Sequence, residues 1–214
     1  MSNVLIVSKT RMHGDRVCVG GIDIDHCRSL RLLDCNGYHE TAEDCPFNIY
    51  DVWDIDYSRN TLRPLPHSNE DVNMLYRRPV GSVRGKMAMV DVLNSIGFNV
   101  CKGNIYDVFD GTLKSNDNGT LFISAPEVPG YSTCFWLCDL CLTRDDFHDK
   151  IKYKYRDGRH RWGVNIAYVG TDIDPQPFIP GDTLVRLSLA HWWQKSPYDE
   201  ERCYLQLSGF YLDT

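Results

Sequence analysis

The run Lys150-Ile-Lys-Tyr-Lys-Tyr-Arg156 alternates without a break. In an extended chain that period puts Lys152, Lys154 and Arg156 on one side and Ile151, Tyr153 and Tyr155 on the other, so the stretch reads as a strand with one basic and one apolar face. Asp157-Gly158 supplies a turn. Three further strand-like runs follow: Arg161-Trp-Gly-Val-Asn-Ile-Ala-Tyr-Val169, Asp182-Thr-Leu-Val-Arg-Leu-Ser-Leu-Ala-His-Trp-Trp193 and Glu201-Arg-Cys-Tyr-Leu-Gln-Leu-Ser-Gly-Phe-Tyr-Leu212. So many strands in so short a stretch describe a small β-barrel.

The first part of the chain has the same texture. Val4–Val7, Val17–Ile22, Ser29–Leu33 and Val52–Tyr57 read as short strands, the last with Trp53, Ile55 and Tyr57 facing inward. Gly20-Gly21 marks a bend or a close approach. A helix is expected from Val83 to Ile96, capped by Ser82, with Met89, Val92, Leu93 and Ile96 on one face and Gly97 ending it. Ile105–Phe109, Thr120–Ser124 and Cys134–Leu142 complete the strand-like segments.

Pro46-Phe47 with Asp51 is echoed by Pro177-Phe178 with Asp182, an offset of 131 residues. A shared way of entering a barrel strand explains the echo without duplication, while two similar barrels account for the echo and the strand count together. The expected organisation is mainly β, with a first five-stranded barrel over 1–80, a helix-containing connection with additional strands over 81–145, and a second barrel over 146–214.

Charge and cysteine usage bound the function. The net charge is −6, so any polyanion site must be a local basic patch on an acidic protein. The nine cysteines form no compact framework, which points to reduced thiols, and the apolar run at the start is too short for a signal peptide. With no stretch near the roughly 18 apolar residues of a membrane span, a cytoplasmic location and no membrane partner are expected.

The stretches Leu5-Ile-Val-Ser-Lys-Thr-Arg-Met12, Cys18-Val-Gly-Gly-Ile22, Arg28-Ser-Leu-Arg-Leu-Leu33 and Tyr50-Asp-Val-Trp53 stand at one end of the chain. Val185-Arg-Leu-Ser-Leu-Ala-His-Trp-Trp193 and Cys203-Tyr-Leu-Gln-Leu-Ser-Gly-Phe-Tyr211 stand at the other. Together they resemble the dual OB-containing family of bacteria. The resemblance spans nearly the whole chain and implies two OB folds, a setting in bacterial conflict and anti-phage defence, and a role with nucleic acid or nucleotide.

The basic strand is the first candidate site. Lysines at alternate strand positions lie about 7 Å apart, near the phosphate spacing of a single nucleic-acid strand. Lys152, Lys154, Arg156, Arg159 and Arg161 are the expected phosphate contacts, and Trp162, Trp192 and Trp193 the expected stacking residues. An edge strand protected by lysines is the competing reading. Lys9 and Arg11, with Arg28 and Arg31, offer a second basic surface, although for Arg11 an internal pair with Asp23, Asp25 or Asp34 is the favoured reading.

Two clusters invite an enzymatic reading. Cys134-Phe-Trp-Leu-Cys138-Asp-Leu-Cys141 has a spacing that can bind an iron–sulfur cluster, but its intervening residues read as a buried strand, and a closed zinc site needs His148 or another cysteine. The cysteines are therefore expected in the core. His67, Glu70 and Asp71 gather an imidazole and two carboxylates in a loop expected to be solvated. No catalytic residue, metal or cofactor is assigned. The expected partners are nucleic acid or nucleotide, with a protein of the same defence system as the alternative.

Overall fold

Strand β1 (Ser2–Arg11) is shared between two neighbours, and that sharing closes the first half of the molecule into a barrel. The computed structural model describes residues 1–85, 87–146 and 150–212. Strand makes up 45% of the described residues and helix 6%, so the fold is mainly β. Two compact units divide it: Met1–Asn99 with Gly170–Asp172, and Val100–Val169 with Ile173–Leu212.

In the first unit, β1 is followed by β2 (Arg16–Asp23), β3 (Arg28–Leu33), β4 (Glu40–Thr41), β5 (Asp51–Arg59) and β6 (Asp71–Ser82). The start of β1 pairs with β5 and its remainder with β2, with a register shift between Ile6 and Ser8 where the strand bends. Going round the barrel, β2 pairs with β3, β3 runs parallel to β6, and β6 returns to β5. This is a closed five-stranded Greek-key barrel, the expected OB arrangement.

Alternating inward residues fill it: Val4, Ile6, Val19, Leu30, Leu32, Trp53, Ile55, Val72 and Met74. Gly21 is needed because a Cβ there would stand 2.6 Å from the Val4 side chain. Gly170–Asp172 adds to the edge of β1, with the Thr171 N–H donating to the Lys9 carbonyl at 3.0 Å.

Strand β6 escapes the sequence pattern although it closes the barrel. Only Asp71–Met74 is largely buried, and beyond that point Leu75, Tyr76 and Val80 are exposed around Arg77-Arg78-Pro79, so no alternation survives. Because β6 runs to Ser82, the expected helix loses its first turns. Helix α1 spans Met89–Ser95 with Ala88 at its N-cap, the Ser82 hydroxyl donates instead to the Tyr50 carbonyl, and Gly85 has a φ of 70° that no helix contains. Gly97, at φ 69°, ends the helix as expected.

The second unit holds β7 (Val100–Cys101), β8 (Lys114–Ser115), β9 (Leu121–Ile123), β10 (Thr133–Leu137), β11 (Leu142–Arg144), β12 (Lys152–Tyr155), β13 (Val164–Tyr168), β14 (Phe178–Ile179), β15 (Leu184–Leu189) and β16 (Cys203–Tyr211). Its topology repeats the first. Strand β12 pairs with β13, β13 runs parallel to β16, and β16 pairs with β15. The part of β1 is played by two pieces, β10 on β15 and β11 on β12.

The expected single strand Cys134–Leu142 is thus broken. The Cys138 N–H donates to the Thr183 carbonyl and the Asp182 N–H to the Cys138 carbonyl, which ends the β15 ladder before the chain crosses to β12. The result is a curled half-barrel. Pro46-Phe47 and Pro177-Phe178 precede the corresponding strands β5 and β15, although Phe47 is buried and Phe178 exposed. Ile105–Phe109 is not a strand either. Asn104 accepts from the Tyr106 N–H while its own N–H donates to Asp107, and this box starts a pair of short 3-10 turns.

Among the described residues no helix is long and apolar enough to cross a membrane.

Candidate nucleic-acid interface

Strand directions decide which loops of the second unit meet. Strand β12 runs toward Tyr155, β13 and β16 run back from the same end, and β15 runs toward it. The loop 156–163 and the loop 190–202 therefore emerge at one end of the sheet. The β8–β9 hairpin joins them there: β9 pairs with Cys203 and Tyr204 at the start of β16, and the Gly119 carbonyl accepts from the Asn165 N–H at the start of β13. Ser115 and His160 lie 2.6 Å apart across this rim.

Lys152 and Lys154 stand half-buried on the outer face of β12, and Tyr153 and Tyr155 are buried on the opposite face. Asp145 holds the Lys154 ammonium at 2.5 Å. In the loop, Arg159 pairs with Asp157 at 3.3 Å and lies 5.0 Å from the centre of the Tyr106 ring. Arg161 lies 4.8 Å from the centre of the Trp162 ring, which is 71% exposed. Among the described residues, Arg156 and Arg161 have no carboxylate partner.

The loop is held from below. The Asp157 carboxylate accepts from the Arg159 N–H at 3.0 Å and from the Asn104 amide at 3.0 Å, and that amide also donates to the Tyr155 hydroxyl at 2.8 Å. Burial, reinforced by the Asp139 carboxylate that accepts its proton at 3.0 Å, pushes the Tyr155 hydroxyl far above the usual range. Gly163, at φ 73°, is required because a Cβ there would meet the Tyr155 carbonyl at 2.5 Å.

Across the rim, Trp193 is 52% exposed and its ring centre is 6.0 Å from that of Tyr204, which in turn is 6.1 Å from Phe122. The Arg202 guanidinium lies 4.0 Å from the centre of the Phe122 ring and pairs with Glu200 at 3.2 Å. Trp192 packs against the core instead, and Tyr198 at the loop tip is 99% exposed.

The structure thus brings Arg156, Arg159, Arg161, Trp162 and Trp193 to one end of one unit. It adds Phe122, Tyr204 and Arg202, which no local pattern flagged because the β9–β16 pairing joins segments distant in sequence.

Lys9 and Arg11 belong to the first unit. The Lys9 ammonium meets Asp172 at 3.1 Å and donates to the Phe47 carbonyl at 3.2 Å, while Arg11 is exposed at the end of β1. The carboxylates suggested for Arg11 each accept other hydrogen bonds. Burial alone would raise the Asp23 carboxyl, but hydrogen bonds from Tyr57 and His26 hold it below the usual range. Asp25 accepts from the Asn3 N–H, and Asp34 accepts from the N–H groups of Asn36 and Tyr38.

The buried ion pair of this unit is Arg31 with Asp71, at 2.8 Å, with Arg63 at 3.6 Å on the other oxygen. His67, Glu70 and Asp71 are buried, not solvated, because their loop folds back onto β3: the Arg31 N–H donates to the Glu70 carbonyl at 2.7 Å. His39 sits in the same region. Burial first, then the charges of Arg31, Arg63 and Arg16, pull its imidazole down to about 4.

Cys134 and Cys138 are buried and Cys141 is exposed, and no group of three metal-ligating side chains occurs among the described residues. His148, considered as a further ligand, lies outside the described residues.

A closed barrel and a curled half-barrel of the same topology in one chain define a protein of the OB class, a fold that commonly binds nucleic acids. The dual OB-containing domain family matches residues 2–210, and the chain belongs to that family. No curated protein and no solved structure matches it significantly.

Proposed function

We propose that the chain is a non-enzymatic nucleic-acid- or nucleotide-binding module of a bacterial anti-phage defence system, the setting of the family it resembles. Single-stranded nucleic acid lies over the rim of the second unit. Lys152, Lys154, Arg156, Arg159 and Arg161 face phosphates, and Trp162 and Trp193 stack on bases.

The observation that carries this reading is the pairing of charge that meets no carboxylate among the described residues with exposed aromatic surface: Arg156 and Arg161 stand beside Trp162, at the sheet end that also bears Trp193 and Tyr204. Trp162 precedes β13 and Trp193 follows β15, two strand positions away, which is about 10 Å in a sheet. A few nucleotides span that distance. Stacking is sequence-tolerant because every base has a π-face.

The test is fluorescence anisotropy with labelled single-stranded DNA and RNA at two salt concentrations. Binding at low salt should weaken about tenfold or more in the Lys154→Glu/Arg156→Glu protein, and the salt slope should fall by about 0.7 for each phosphate no longer neutralised. Absence of binding at low salt, or binding that ignores the double substitution, refutes the assignment.

A second reading, a protein-interaction adaptor in a defence complex, is favoured by the net charge of −6 and by β6. There the exposed Leu75 and Tyr76 line a cleft of about 320 Å³ with Asp34, Cys35, Glu40, Met74 and Arg77. A stoichiometric protein partner recovered without nucleic acid selects it.

A further inference from the structure

Strand β7 is only two residues long and sits at the edge of the second unit's sheet, parallel to β10. Cys101 faces Trp136 in this register, and Cys134 lies one pleat earlier on the same side of β10, so the two thiols share a face. Cys101 is half-buried, whereas Cys134 is buried. None of the nine cysteines is in a disulfide.

The geometry points to Cys101 and Cys134 as a peroxide-reactive dithiol, with Cys101 as the attacking sulfur and Cys134 as the resolving one. This goes beyond nucleic-acid binding and does not depend on it.

The chemistry around the pair divides the roles. A hydrogen bond from the Cys134 thiol pulls Cys101 down to about 7, against the opposing effects of burial and of Asp110. That carboxylate is itself occupied, accepting the Tyr131 hydroxyl at 2.9 Å. By contrast, burial pushes Cys138 up to about 11 and also raises Cys45, so those thiols stay protonated and unreactive.

The Cys101 thiolate attacks one oxygen of hydrogen peroxide. The S–O bond forms, the O–O bond breaks, and the departing hydroxide takes a proton from solvent to become water. The Cys134 sulfur then attacks the sulfenic sulfur of Cys101. The S–S bond forms, the S–O bond breaks, and hydroxide leaves with the Cys134 proton as a second water. Two thiols lose two electrons and the peroxide gains them.

Diagonal neighbours in a sheet lie about 7–8 Å apart, beyond the roughly 6.8 Å limit for the Cα atoms of a disulfide, so the bond requires β7 to shift by about 1 Å. A two-residue edge strand can move that little. The bond would tie β7 to β10 just after the chain leaves the first unit, and close residues 101–134 into a loop.

The experiment treats the intact protein with one equivalent of hydrogen peroxide at pH 7, alkylates the remaining thiols and maps the peptides by mass spectrometry. A cross-link between the peptides of Cys101 and Cys134 is expected before any other pair. In the Cys134→Ser protein, Cys101 should accumulate as a sulfenic acid captured by dimedone. Its rate should be roughly three- to sixfold that of an unperturbed thiol, the net of a larger thiolate fraction and a lower nucleophilicity. Cys101→Ser should abolish oxidation of Cys134. Earlier oxidation of the exposed Cys27, Cys35 or Cys141, or oxidation of Cys134 that survives Cys101→Ser, overturns the inference. The mapping of the unsubstituted protein decides the matter even if a variant fails to fold.

Discussion

Replacing His39 by glutamine should flatten the acid limb of this protein's stability profile. The imidazole is 8% exposed and surrounded by Arg31, Arg63 and Arg16, and burial together with those charges holds it neutral down to about pH 4. In the unfolded chain it takes up a proton near 6.5. Between those two values the unfolded state binds a proton that the folded state refuses, so unfolding is favoured as the pH falls. The stabilisation is fully present above pH 6.5 and is lost as the pH drops toward 4.

One pH unit is worth about 1.4 kcal/mol, so the full displacement corresponds to about 3 kcal/mol. That is a large part of the 5–15 kcal/mol typical of a domain. Urea denaturation of both proteins at pH 7.5, 6, 5 and 4 measures it. The parent should lose about 3 kcal/mol more than His39→Gln over that range, because every other titrating group is common to both. Asp71, raised chiefly by burial against the pull of Arg31 and Arg63, changes stability in the opposite sense, and the subtraction removes it. Parallel profiles would show that His39 titrates normally and that the three arginines do not act on it.

Other substitutions probe the same physics. Arg31→Met leaves Asp71 buried with only the more distant Arg63, and should cost about 3 kcal/mol in urea denaturation. The Arg31→Met/Asp71→Leu double variant should recover most of it, and failure to recover would mean that the pair itself stabilises the barrel. Gly163→Ala places a Cβ against the Tyr155 carbonyl at positive φ and should lower stability by about 1–3 kcal/mol. A full melting temperature in that variant would deny that the loop 156–163 is held tightly.

What could be read in advance follows one rule: strands that bury one face announce themselves. Lys152–Tyr155 was legible because Tyr153 and Tyr155 are fully buried and their neighbours are not. Val52–Tyr57 was legible for the same reason. Strand β6 was hidden because its outer half buries nothing and carries Pro79. The break at Cys138–Cys141 was hidden as well, since Leu140 and Leu142 look like the continuation of a strand. Only a second barrel, needing its first strand on both neighbours, explains why the chain turns there. The aromatic half of the rim was half-visible. Trp193 could be named, but Phe122 and Tyr204 meet it only through the added hairpin.

The two units put one loop to different use, and this bears on where a ligand goes. In the first unit the loop between β5 and β6 folds inward. Pro66, His67 and Glu70 are buried, Arg63 leans on Asp71, and the Asn60 N–H donates to the Asp71 carbonyl at 2.9 Å. In the second unit the corresponding loop between β15 and β16 stays out, tied at its base by two hydrogen bonds between Trp193 and Arg202 and exposing Tyr198 at its tip. Charges already desolvated and paired in a folded loop gain little from a phosphate, since the pair must first be broken. Guanidinium groups that meet no carboxylate among the described residues, Arg156 and Arg161, gain much more, because the phosphate supplies the counter-charge. Substitutions at Arg31 and Arg63 should therefore register as lost stability at unchanged affinity, and substitutions at Arg156 and Arg161 as lost affinity at unchanged stability. Denaturation and anisotropy on the same four proteins separate the two, and a binding loss at Arg63 without a stability loss would move the site to the first barrel.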